Sequence, residues 1–265
     1  MEYITLTDKQ KIKEFKPEIL DLFAKSFGYS IDKRVWDWAY IDNPSADPIV
    51  TLCIEGNALV GHYAIIPMPL ILDTCVYSSY LSMTTMVSPT HQGMGLFTNL
   101  AKITYEAASD QGVDFVFGFP NNQSAPGFTK KLGWDVLDPD HVVSARKKDI
   151  LDSNFFREHP INKLSLNLEN KNLRKWRLEK PGEKYIWQDG LVFKRYEEGV
   201  DLVYFRSPEN IKSLPESDEV NFIVPPKLCE RNFSEKFAYQ FGGVGINSSF
   251  YPSHVNRQMI LSDVF

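Results

Sequence analysis

The sequence predicts an α/β (α+β) fold: a mixed, mostly antiparallel sheet flanked by helices, followed by a second, smaller α+β half. Three observations predict it. Short apolar runs are bounded by turn residues, as at Glu55-Gly56-Asn57 and Asp189-Gly190. The stretches 19–27 and 95–110 carry apolar residues at helical spacing. The passage 80–119 reads strand, helix, strand, and such a right-handed crossover makes its two strands parallel within an otherwise antiparallel run.

Each element has a local reason. Residues 2–7 read as a first strand. Asp8 caps the first helical stretch, and Pro17 restarts the helix within its own first turn. Ile19, Leu22, Phe23 and Phe27 give that helix its apolar face, and Gly28 ends it. Residues 34–40 form a short helix broken by Asn43-Pro44. Strands 49–54 and 59–66 make a hairpin. A strand lies near 70–72 or just after it, and 80–87 comes next. Gly112 stops the helix of 95–110, 113–119 is a buried strand, and 134–146 supplies another after a short helix ended by Gly133. Beyond it, 150–180 is a helical and irregular connection, and 184–205 a hairpin. Residues 220–224 read as a strand, 227–240 as helical, and the terminal MILSDVF as a last strand.

The expected division is 1–148 and 149–265. Trp36-Asp37-Trp38 precedes Asn43-Pro44 and a hairpin; Trp176-Arg177-Leu178 precedes Pro181-Gly182 and another hairpin. This faint repeat makes the second half a candidate degenerate copy of the first.

The totals narrow the function. With 265 residues, 43% hydrophobic and 24% charged, the chain reads as an ordinary globular protein. A net charge of −5 argues against a nucleic-acid partner. Cys53, Cys75 and Cys229 have no metal-ligand spacing, and so sparse a set fits a reducing compartment. The N-terminus is polar, and no apolar run approaches the roughly 20 residues of a membrane span. The expectation is a cytoplasmic protein with no bound metal and no membrane partner. Exposed sheet edges make a homodimer plausible.

The most informative stretch is VSPTHQGMGLF, residues 87–97. It joins a strand to a helix through two glycines. Such a junction aims backbone N–H groups and the positive helix end at one point, which suits phosphate oxygens. A second stretch, NNQSAPGFTKKLGW at 121–134, lies just after the next strand.

Together these motifs resemble the GNAT superfamily of acyl-CoA N-acyltransferases over residues 3–146. The family signature is Arg or Gln, two residues, Gly, one residue, then Gly or Ala. Gln92 and Gly95 match it, and Phe97 stands where Gly or Ala is usual. Downstream, Asn122, Ala125, Gly133 and Trp134 match a second family pattern, with Thr129 at its tyrosine position.

The resemblance implies that backbone N–H groups of Gln92, Gly93, Met94, Gly95, Leu96 and Phe97 hold a coenzyme A pyrophosphate. It implies that Met86 and Val87 pair with the pantetheine amides where two strands splay, and that Asn122 contacts the cofactor near its sulfur. The family tyrosine protonates the departing thiolate; Thr129 is a poor proton donor. His62, Tyr80 and Asp263 are therefore the candidate acid and base groups. Trp36 and Asn121 are candidate acceptor-site residues.

The implied enzyme is a GNAT-type acetyltransferase. It moves an acetyl or other acyl group from acetyl-CoA to a primary amine of a small molecule, with an amino sugar as one acceptor. The alternatives are a non-catalytic coenzyme A sensor and a tandem-fold aminoacyl or fatty-acyl transferase.

Overall fold

The computed structural model describes residues 1–158 and 162–262. Strand β1 (Glu2–Leu6) leads into helix α1 (Lys9–Glu14), where the Asp8 carboxylate accepts from the N–H groups of Gln10 and Lys11. Helix α2 (Lys16–Phe27) has Pro17 in its first turn and ends at Gly28, with φ 78°. Asp32 caps α3 (Lys33–Tyr40). The hairpin of β2 (Ile49–Glu55) and β3 (Ala58–Pro67) comes next, then a small β4 (Leu70–Leu72) and β5 (Cys75–Tyr77). The crossover is β6 (Ser79–Val87), α4 (Leu96–Asp110) and β7 (Phe115–Gly118); then come α5 (Ala125–Leu132), β8 (Asp135–Val136) and β9 (Asp140–Ala145).

The second half runs α6 (Lys147–Asp152), α7 (Asn154–Glu158), β10 (Ser165–Leu166) and α8 (Lys171–Leu178). Strands β11 (Ile186–Gln188), β12 (Leu191–Tyr196), β13 (Gly199–Phe205), β14 (Val220–Val224), β15 (Ser234–Tyr239) and β16 (Gly242–Gly245) complete it.

Among the described residues these strands make three sheets. The first has the order β1-β2-β3-β6-β7-β16-β8, the second β11-β12-β13-β14-β9-β15, and a small third one β10-β4-β5. In the first sheet β6 and β7 are parallel; in the second, β13 and β14 are. Next to each parallel pair lies a strand from the other half. β16 sits antiparallel between β7 and β8, and β9 sits antiparallel between β14 and β15. The two halves thus exchange one strand each, at equivalent places.

The seam between them is also reciprocal. Trp38 of α3 and Trp176 of α8 stack at 4.7 Å with planes 8° apart. Each indole N–H donates to the other residue's carbonyl at 2.7 Å. Both tryptophans lie in the two stretches that the sequence suggested as a faint repeat.

The structure departs from the sequence expectations in three places. Residues 134–146 form two strands in different sheets, because Asp138-Pro139 interrupts the run. The stretch 227–240 is a short turn and the edge strand β15, not a helix, since pairing with β9 decides its conformation. The described part of the terminal MILSDVF is a buried 3₁₀ turn, Met259–Leu261, and the strand near the terminus is instead β16. Its glycines are needed there: a Cβ at Gly242 would lie 2.6 Å from the Asp135 carbonyl oxygen, and one at Gly243 would lie 2.6 Å from that of Val116.

Two cores sandwich the first sheet. On one face α4 and α5 pack against Val60, Tyr63, Tyr80 and Val116. On the other, α2, α3 and the second half pack against Ala64, Ile66, Leu81 and Phe117. Successive residues of a strand alternate between the two faces.

Candidate active site

The site begins where β6 and β7 part. Their register runs Ser79↔Phe115, Tyr80↔Val116 and Leu81↔Phe117, and pairing stops there. Beyond it β6 carries a bulge. His62 lies opposite Met86 and Ala64 opposite Met83, so one extra residue is inserted, and Thr84 takes φ 54°. The divergence opens a cleft of about 470 Å³ through the sheet. Phe97, Phe128 and Trp134 line it on the α4–α5 face; Phe27 and Phe119 line it on the α2 face. Ser82, Thr84, Thr85, Asn121, Gln123 and Ser124 supply its polar wall, and among the described residues no Asp, Glu, Lys, Arg or His lines it.

The glycine loop stands at one mouth of this cleft. The Ser88 N–H donates to the Val60 carbonyl at 2.8 Å. By alternation along the strand, the N–H and C=O of Val87 face the open edge of β6, while those of Met86 face β3. Pro89–His91 then forms a 3₁₀ turn braced by hydrogen bonds from His91 to Thr90 (2.8 Å) and Glu55 (2.9 Å). Gly93 and Gly95 adopt φ 81° and 79°, and a Cβ at either would meet only open space. Gly95 is the N-cap of α4, and no side chain caps that end. The N–H groups of Thr98 and Asn99 turn back to the Gly95 carbonyl, which leaves those of Leu96 and Phe97 pointing out of the helix start. A fifteen-residue helix with an uncapped positive end beside two exposed glycines can receive an anion. These residues therefore fit a coenzyme A pyrophosphate.

The other predicted residues fall in different places. His62 is fully buried behind β6, with Nδ1 2.8 Å from the Thr84 carbonyl oxygen. Burial pushes its ring down to about 4. Its position makes it a prop for the bulge rather than a group in contact with the cleft. Tyr80 is buried in the α4–α5 core; its hydroxyl donates to the Asp47 carbonyl at 3.3 Å, and burial pushes the phenol up to about 12. Asp263 lies outside the described residues. Trp36 is buried, stacked on Tyr40 at 4.9 Å, and does not line the cleft. Asn121 does line it, and its Oδ1 accepts from the N–H groups of Gln123 and Ser124. Asn122 is exposed beside the lining. Phe97, the departure from the signature, packs edge-on against Phe128 at 5.1 Å, and a Cβ on Gly127 would lie 3.0 Å from its ring.

Sequence reasoning missed a buried network behind the fork. Ser82 Oγ donates to the Tyr63 hydroxyl at 2.9 Å, Tyr63 and Tyr105 share a hydrogen bond of 2.8 Å, and the Trp134 indole N–H donates to Tyr105 at 2.8 Å. Burial pushes Tyr63 up to about 12 and Tyr105 well above its ordinary value. Ser82 brings this network to the cleft wall. Thr129, at the family's tyrosine position, is exposed on the outer side of α5, and the adjacent Phe128 faces the cleft instead.

Comparisons with known proteins bear on the family and the fold. Residues 9–137 match the family model described as "Acetyltransferase (GNAT) domain". Among solved structures, the chain is similar to a probable N-acyltransferase from Enterococcus faecalis: 9% identity, TM-score 0.64, covering 93% of this chain and 73% of that one. A GCN5-related N-acetyltransferase from Kribbella flavida gives 13% identity and TM-score 0.62, covering 93% and 71%. One from Anabaena variabilis gives 13% and 0.55, covering 93% and 73%. At these identities the likeness shows the fold. A search of curated proteins finds no match. No described helix is long and apolar enough to cross a membrane. Over residues 9–137, the stretch that holds the glycine loop and the splayed strands, the chain carries a GNAT acetyltransferase domain.

Proposed function

We propose that the protein transfers an acetyl group from acetyl-CoA to the primary amine of a small molecule, using the cleft between β6 and β7. The observation that carries this is the continuity of the two parts: an uncapped helix start with two open glycines stands at the mouth of a cleft that crosses the sheet. Acetyl-CoA supplies the activated thioester. The loop from Gln92 to Phe97 holds its pyrophosphate, and the Val87 backbone pairs with the pantetheine arm. Aligning amine and thioester in a narrow cleft removes much of the entropic barrier.

Proton handling is set by the lining. Desolvation in an uncharged cleft disfavours an ammonium, so the amine sheds its proton to solvent on entry and attacks as the neutral base; the N–C bond forms, the C–S bond breaks, and the proton the nitrogen then gives up goes to the departing coenzyme A thiolate. Ser82, tied to Tyr63, is one of the hydroxyl groups that line the cleft at the fork. The division at residue 148 fits this reading in a modified form. The N-terminal unit carries the cofactor loop, and the second closes the acceptor side while trading a strand. For an amino sugar, Asn121, Gln123 and Ser124 offer neutral hydrogen-bond partners.

The test is a calorimetric titration with acetyl-CoA, wild type beside Gly95→Glu. Micromolar binding by the wild type and none by the variant, with matching circular dichroism, is the expected result. No binding by the wild type would sink the proposal. The exposed Thr129 favours a second reading, a coenzyme A sensor; it predicts the same binding but no thiol release with any amine.

A further inference from the structure

We infer that the acceptor is a monoamine with an aromatic or extended apolar body, held between aromatic side chains of both halves, and that polycationic amines are excluded. This deepens the acetyltransferase reading and rests on it.

The α4–α5 mouth of the cleft carries the glycine loop, so the acceptor enters from the other face. That face is aromatic. Phe27, at the end of α2, lines the cleft and stays 46% exposed; Tyr29, 63% exposed, packs against it at 6.3 Å. On the opposite lip Phe119, the first residue after β7, lines the cleft and stacks on Tyr239 of β15 at 4.7 Å. Phe237, 47% exposed, extends this lip edge-on to Tyr239 at 6.1 Å. One lip belongs to the first half, and the second half completes the other. Phe27 and Tyr29 leave ring surface open to an apolar ligand, and a cleft with aromatic side chains on both lips suits a flat or elongated apolar body.

The charges say the same. None of the described lining residues is charged. A second ammonium on the acceptor would enter the cleft with no carboxylate to meet it, and an unpaired charge in such a place is strongly disfavoured. A single amine that arrives neutral carries no such penalty.

The test is a steady-state panel on the full-length protein with acetyl-CoA, reading thiol release with phenethylamine, glucosamine and spermidine as acceptors. Expected is a kcat/KM for phenethylamine about tenfold above glucosamine and about a hundredfold above spermidine. Phe27→Ala and Tyr239→Ala should each raise the KM for phenethylamine about tenfold and leave the acetyl-CoA dissociation constant unchanged. Spermidine or glucosamine equal to or better than phenethylamine would overturn the inference and leave the acetyltransferase standing. Acetyl-CoA binding without turnover of phenethylamine would also overturn it. Absence of acetyl-CoA binding would instead remove the underlying reading, and the inference with it.

Discussion

His62 spends its one ring N–H on a backbone carbonyl. The Thr84 oxygen can only accept, so Nδ1 carries the proton and the ring is held neutral, with Nε2 buried and without a hydrogen-bond partner among the described residues. Protonation would place a charge in a dry core. The ring titrates near 4 in the folded protein, against 6.5 in the unfolded chain. Between these values the unfolded chain binds a proton that the folded one does not. The stabilisation is therefore complete above 6.5 and is lost as pH falls toward 4, by about 1.4 kcal/mol per pH unit and about 3 kcal/mol in all. Urea midpoints at pH 7.5, 6 and 5 measure it. Wild type should lose more stability over this range than His62→Gln; equal slopes would show that the ring does not carry the effect.

Elements are tied together by the network behind the fork. Ser82 lies on β6, Tyr63 on β3, Tyr105 on α4, and Trp134 just after α5. Tyr105→Phe leaves the buried Trp134 N–H without its acceptor and cuts the link to Tyr63, a loss of about 1–3 kcal/mol in unfolding free energy. Chemical denaturation checks it, and a cost below about 0.5 kcal/mol would mean that the network is not a structural tie. At this scale the sequence was readable wherever structure is local. The caps at Asp8 and Gly28, the β2–β3 hairpin, the glycine loop and the α5 stop at Gly133 are all consequences of short-range stereochemistry. The bulge at Thr84 was not readable, because no glycine marks its positive φ and its cause, His62, lies twenty-two residues earlier. Phe128 rather than Thr129 faces the cleft because Phe97 and Trp134 make an aromatic nest for it, a contact between distant segments.

The whole molecule is held by what each half lends the other. Strand β16 is rich in glycine, and it becomes a strand because β7 and β8 flank it. β9 crosses the opposite way for the same reason. Removing residues 149–265 would strip β16 from the first sheet, bare the edge of β7 along Phe115–Gly118, and leave β9 with no sheet to join. Unpaired, apolar edges of this kind aggregate rather than stand alone. The Trp38–Trp176 pair would lose both its stacking and its two hydrogen bonds in the same step. Neither half can then unfold without exposing the other, so the chain should melt as one cooperative unit. Calorimetry should show one transition, with calorimetric and van't Hoff enthalpies equal. A fragment of residues 1–148 should be insoluble alone and recover when 149–265 is co-expressed. Two resolved transitions, or a soluble fragment with a sharp melt of its own, would mean that the exchanged strands decorate the two sheets rather than complete them.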